Sequence, residues 1–212
     1  NGTSTWAGPF TFTTGCAAFL APYFEDFENL PQGPGAFLDY GNCWTMPNIT
    51  TPRWETENST GANENSLATG PFFDHTTFGT AGGTYFYFET SGGALGSSNE
   101  ITTADIDVSA LVNPYVEFWY HMYGATMGSI GLDVWNATNG WTNDLITVVG
   151  QQQTAGGDPW NKIGATLPSG YTGVVRFRIR GIRGSSFTGD ASFDDFSVIE
   201  APSCPDINSL TT

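Results

Sequence analysis

Apolar and polar residues alternate with a period of two in one segment of this chain after another, and that pattern leaves room for few folds. Gly173–Ile182 reads GVVRFRIRGI, with Val175, Phe177 and Ile179 separated by Arg176, Arg178 and Arg180. Such a run places one set of side chains on each face of an extended strand. Ile130–Trp135 repeats it with Ile130, Leu132 and Val134. Thr84–Thr90, Tyr115–Tyr123, Leu145–Val149, Trp160–Leu167 and Ala191–Ile199 are further strands on the same grounds, Asn113-Pro114 opening the second of these. Turn signals recur roughly every 8–15 residues, and no helix of convincing length and no internal repeat interrupts the series. With 27 Gly and 12 Pro among 212 residues, the chain reads as an all-β sandwich of antiparallel strands.

Charge and aromatic content narrow the function. Six Lys and Arg stand against 21 Asp and Glu, a formal charge of −15. A field of that sign repels phosphate backbones and argues against nucleic acid. No apolar run approaches the roughly 20 residues of a membrane span, so no membrane span is expected. Aromatics make up 15%, too many for a disordered tail. The first residues lack a basic region followed by an apolar one, so no signal peptide is expected in this stretch. Cys16, Cys43 and Cys204 show no zinc-like spacing. An odd count suits an oxidising compartment with one thiol left for a neighbour. Cys16 could pair with Cys43 or with Cys204, and spacing does not choose.

Asn1–Thr14 (NGTSTWAGPFTFTT) carries Phe10 and Phe12 in a short strand pattern. It resembles the closing strand of a fibronectin type III module. Residues 201–212 have no periodicity. The expected organisation is therefore the end of a preceding module with linker over 1–20, one β-sandwich over 21–200, and a linker or start of another module over 201–212, cut from a longer modular chain.

An ordered series of motifs carries a family likeness: FEDFE at Phe24–Glu28, Cys43-Trp44, Asp74-His75-Thr76, GTYFYFETS, ADIDVSALVNPYVEFWYHMYG, GSIGLDV, Trp141, GQQQTAGGDPW, VRFRIRGI and SFDDFSVIE. In this order it resembles a MAM domain (the meprin, A5, mu type) in a bacterial, Bacteroidetes-like form, over residues 24–200. The four paired cysteines typical of animal members are absent, so their disulfides do not carry over. The resemblance implies a two-sheet antiparallel jelly-roll sandwich, and an adhesion or recognition module rather than an enzyme.

Carboxylates gather at Glu25, Asp26 and Glu28, at Asp74, and at Asp194 with Asp195. In a jelly roll the first and last strands lie side by side, which would bring the first and third groups together. Hard oxygens from several segments suit Ca²⁺. The candidate ligands of a structural Ca²⁺ are Glu28, Asp74, Thr76 and Asp195, with Asp26 and Asp194 beside them. Solvated or turn-capping acids are the plainer reading.

Catalysis finds little support. No serine-elbow motif and no HExxH occurs, and no acid pair has a recognisable glycosidase spacing. Of the two histidines, His121 lies within a strand and His75 in the acidic turn.

For ligand binding, aromatic faces stack on sugar C–H faces. Trp54 is placed in a loop beside Arg53; Trp135 and Trp141 flank the turn NATNG; Tyr123 and Tyr171 border glycine-rich loops. Arg176, Arg178, Arg180 and Arg183 include an alternating row on one strand face, which could bind sulfate or carboxylate groups or pair with acids on a neighbouring strand. Sequons at Asn1, Asn48, Asn58 and Asn136 are unsurprising in an Asn- and Thr-rich chain. The expectation is a non-catalytic module of a secreted multidomain protein that grips polysaccharide, sulfated or uronic polymers included. The alternatives are a protein-adhesion module at the cell surface and a jelly-roll carbohydrate-active enzyme.

Overall fold

The computed structural model of the protein describes residues 16–34, 43–58 and 69–203. Thirteen strands and, among the described residues, no helix make two sheets. The first sheet holds β1 (Phe19–Leu20), β6 (Ser98–Thr102), β7 (Ile106–Asp107), β9 (Ser129–Asn136), β10 (Gly140–Val149) and β12 (Val174–Ile182). Its spine runs β1-β7-β12-β9-β10, with β6 beside β7 on the same flank of β12. The second holds β2 (Tyr23–Glu25), β3 (Gly33–Pro34), β4 (Arg53–Asn58), β5 (Thr84–Glu89), β8 (Pro114–His121), β11 (Asn161–Thr166) and β13 (Ser192–Glu200), in the order β11-β8-β13-β5-β4-β3, with β2 against β13. All pairings but β1 with β7 are antiparallel.

The alternation has the expected consequence. Val175, Phe177 and Ile179 of β12 and Ile130, Leu132 and Val134 of β9 are fully buried from one side, and Val116 and Phe118 of β8 with Phe86 and Phe88 of β5 from the other. Between them stands an aromatic stack in which Phe27, Trp44, Phe86, Phe193 and Phe196 meet at centroid distances of 5.0 to 6.2 Å. Each such side chain contributes about 1.5–3 kcal/mol by leaving water.

Two interruptions of the pleat shape the surface. On β13, Asp194 pairs with Trp119 and Ser197 with Glu117, so Asp195 and Phe196 together oppose Phe118 alone. Asp195 takes a positive φ of 46°. The inserted residue re-aims the strand: Phe193 and Phe196, three apart, both face the core. On β10, Thr142 pairs with Val134 and Ile146 with Leu132, so residues 143–145 bulge opposite Asp133, with Asp144 at φ 59°.

Several expectations shift. The sandwich takes in Phe19–Leu20, ahead of the expected boundary at residue 21. Cys16 is bridged to Cys43, with Cα atoms 6.1 Å apart. Cys204, the Phe10–Phe12 strand and most of the outer stretches at 1–20 and 201–212 lie outside the described residues.

Candidate functional site

The outward residues of the first sheet form rows across its strands. Arg176 on β12 pairs with Trp135 on β9, and Trp135 with Trp141 on β10. The two indoles therefore sit on neighbouring strands of one face, Trp141 exposed and Trp135 half-buried. Guanidiniums lie over both: Arg176 is 5.1 Å from the Trp135 ring centre and Arg178 is 4.3 Å from that of Trp141.

Every arginine of the row is already engaged. Arg176 Nε donates to Asp105 at 2.7 Å. Arg178 and Arg180 donate to Asp133 at 2.7 to 2.9 Å, Arg178 Nη1 also reaches Glu100 at 3.3 Å, and Arg180 Nη2 reaches Asp144 at 2.6 Å. The Asp133 side chain is 0% exposed. Burial would raise its pKa, but hydrogen bonds from Arg180, the Asp144 backbone N–H and Arg178 outweigh that and hold it low. The β10 bulge supplies both Asp144 contacts. Gly131 opposite Arg180 leaves room for it, because a Cβ there would come within 2.9 Å of Nη2. Arg183 is spent on the Thr90 and Gly184 carbonyls.

The Arg53–Trp54 pair is not a loop platform. Both residues lie in β4, and Trp54 faces inward, 0% exposed, against Phe88 and Phe193. Arg53 pairs with Glu55 at 2.8 Å. The physical reason is parity: TPRWETEN alternates, and Trp54 and Thr56 take the core side opposite Phe88 and Phe86. Tyr171 is likewise buried, its hydroxyl held by Thr142 and the Gly140 carbonyl; Tyr123 is half-buried.

The second sheet carries the acids on its outer side. β2 lies beside β13, with Glu25 opposite Phe196. The β13 bulge turns Asp194 and Asp195 toward the 74–77 turn. Asp194 accepts from the His75 N–H at 2.9 Å and the Asp195 N–H at 2.8 Å. Asp195 accepts from Thr76 Oγ1 at 3.0 Å and pairs with His75 Nδ1. Asp74 takes the Thr77 N–H and hydroxyl; a Cβ on Gly83 would fall 2.2 Å from its Cγ, and Gly83 has φ 83°. Glu28 accepts from the Thr84 N–H at 3.2 Å. Asp26 caps the turn by accepting from the Glu28 N–H at 3.2 Å.

Burial, with Asp74 close by, pushes Glu28 up to about 7. Asp194 is pushed well above the carboxylate range by burial and by the Asp195 charge. The oxygens are of the kind Ca²⁺ takes, but as they stand they are occupied by local N–H and O–H donors. Among the described residues no group of three or more His, Cys, Asp and Glu is arranged to hold a metal ion.

Next to these acids the outer face is concave. A cleft of about 300 Å³ is lined by Phe24, Glu25, Asp26, Glu117, Trp119 and Asp195, together with Phe196 and Ser197. Phe24 is 68% exposed. His75 stacks on Trp119 with ring centres 3.8 Å apart. Lys162 Nζ lies 2.5 Å from Glu117 and 5.7 Å from the Trp119 ring centre. None of Phe24, Glu117 and Trp119 is among the binding residues that the sequence suggests. Their signal was present, since Glu117 and Trp119 fall on the outward parity of β8.

Comparison with known proteins matches residues 36–205 to the family described as MAM domain, meprin/A5/mu. MAM domain-containing glycosylphosphatidylinositol anchor protein 1 of Mus musculus is 31% identical over 92% of this chain, and the human protein of that name is 30% identical over the same share. The chain spans only 20% of either protein's length. Among solved structures, a cleaved adhesin domain of Lys-gingipain from Porphyromonas gingivalis aligns with a TM-score of 0.50 at 19% identity, covering 85% of this chain and 98% of that one. A second cleaved adhesin domain of Lys-gingipain gives 0.53 at 16%, covering 85% and 99%. At these identities the structural likeness speaks for the fold.

Proposed function

The chain belongs to the MAM (meprin/A5/mu) domain family, and from that premise we propose that it is a non-catalytic recognition module that holds polysaccharide on the outer face of its first sheet. The observation that carries this reading is the Arg176–Trp135–Trp141 row, two indoles on adjacent strands of one outward face. Strands lie about 4.8 Å apart, so the two rings stand close together on one face. Each carries a guanidinium over one side, and what remains open, chiefly the exposed Trp141, can stack on sugars. A sulfated or uronic polymer would compete with Asp105 and Asp133 for guanidiniums already paired, which favours a neutral polymer read by stacking. Binding rather than turnover is supported at the acidic cleft, where Glu117 is paired with Lys162 and Asp195 with His75.

The same reading sets the module outside the cell, in a secreted or surface-attached modular chain. The Cys16–Cys43 bridge supports it, as does the membrane anchor in the mammalian relatives' name. It also includes a structural Ca²⁺ with Glu28, Asp74, Thr76 and Asp195 as candidate ligands and Asp26 and Asp194 beside them, supported by hard oxygens gathered from three segments. Among the described residues these side chains are not arranged around an ion, and an ion would have to displace Thr77 from Asp74, Thr84 from Glu28 and His75 from Asp195.

Affinity gel electrophoresis against neutral, uronic and sulfated polymers tests the function. Retardation on a neutral polymer is expected, weakened about tenfold in Trp135→Ala and Trp141→Ala. Retardation that both variants retain in full, or none on any polymer, would sink the assignment.

A further inference from the structure

The cleft on the second sheet has a chemistry of its own. Its walls are aromatic, an exposed Phe24 on the short strand β2 and Trp119 on β8. Around them stand four carboxyls, Glu25, Asp26, Glu117 and Asp195, against two basic side chains, Lys162 at Glu117 and His75 at Asp195. Carboxylates beside aromatic faces select a positively charged group, which gains Coulomb attraction and a cation–π contact together. The fold already displays the arrangement: Lys162, the only lysine among the 212 residues, places its ammonium against Glu117 and within 5.7 Å of the Trp119 ring centre.

We propose that this cleft docks a lysine or arginine side chain of a partner protein, its stem against Phe24 and its charged head between Asp195 and Glu117. Charge complementarity argues for the occupant, in a chain of net charge −15. A second copy does not supply it. The five arginines are committed to acids or carbonyls of their own chain, and the lone lysine already sits at the cleft. The site lies on the sheet opposite the Trp135–Trp141 row, so it is independent of the polysaccharide reading.

Titration of the whole chain with an oligolysine peptide at physiological ionic strength, followed by calorimetry, tests this. Phe24→Ala is expected to weaken binding about tenfold, and Glu117→Gln by a similar factor. Lys162→Ala is expected to strengthen it, by removing the ammonium that competes for Glu117. Trp135→Ala is expected to leave it unchanged, which separates this site from the polysaccharide face. Binding that Phe24→Ala and Glu117→Gln both retain in full would mean attraction to net charge alone and would overturn the proposal. So would an absence of binding, or tighter binding of a glucosamine oligomer through the same residues.

Discussion

Asp133 and Asp194 each sit on a central strand, each faces outward from its sheet, and each is 0% exposed. Their surroundings differ in kind. Asp133 lies under Arg178 and Arg180, with the Asp144 N–H completing its shell, and its pKa is held low. Among the described residues Asp194 has only the N–H groups of His75 and Asp195; it stands beside the Asp195 carboxylate and is pushed up. A buried charge is tolerable when countercharges surround it and costly when like charges do. The first sheet has therefore closed its electrostatics internally, and under the proposed reading its indoles are the groups on which a ligand would stack. The second sheet pairs Glu117 with Lys162 and Asp195 with His75 but leaves Asp194 among like charges, and that surplus calls for protons, a cation or a basic partner.

The largest effect should come from breaking the compensated side. Asp133→Ala leaves two guanidiniums without their buried partner, and about 3–5 kcal/mol of stability should be lost in urea unfolding. A loss under about 1 kcal/mol would mean that Asp144 and Glu100 suffice to hold the arginines.

The second effect belongs to the other sheet and to pH. Burial pushes Asp190, bonded to Thr90, up to about 7, the value also reached by Glu28. Between about pH 4 and 7 the unfolded chain has released these protons while the folded chain still holds them. Stability should therefore fall as pH rises through that window, by up to several kcal/mol, and level off above it. Asp133, with its lowered pKa, acts in the opposite sense and only below about pH 4. Asp190→Asn should flatten the slope; an unchanged slope would assign it elsewhere. Added Ca²⁺ should raise the melting temperature most near neutral pH, where the Glu28 proton is coming off and no longer competes with the ion, and EDTA should reverse the gain. Equal melting with either would remove Ca²⁺ from the second sheet.

The smallest effects are those on exposed aromatics. Trp141→Ala and Phe24→Ala should each change stability by no more than about 1 kcal/mol while altering binding on their own faces only. A variant on one face that weakens both kinds of binding would break the independence of the two.

The strands of this protein are legible in its residues because a period of two is a local property. GVVRFRIRGI must present Val175, Phe177 and Ile179 to one side whatever the chain does elsewhere, and the core follows. Trp54 shows where local reading stops. TPRWETEN alternates as well, but its polar company suggested a loop until Phe88 and Phe193 stood beside the indole. The arginine row was visible, and so was the prospect of acids on a neighbouring strand. What no local pattern contained was the identity of those acids. Asp133 and Asp105 come from distant segments, and Asp144 reaches the row through a bulge.

The acidic side teaches the same lesson from SFDDFSVIE. Phe193 and Phe196 break parity, a trace of the bulge that puts Asp194 and Asp195 on one face. The residues alone set the all-β class, the alternation, the family and the acidity, since these depend on side-chain type and near neighbours. Which charges are cancelled, and where a cleft opens, depended on strands distant in the chain being brought into register, because electrostatic energy is governed by distance in space rather than along the sequence.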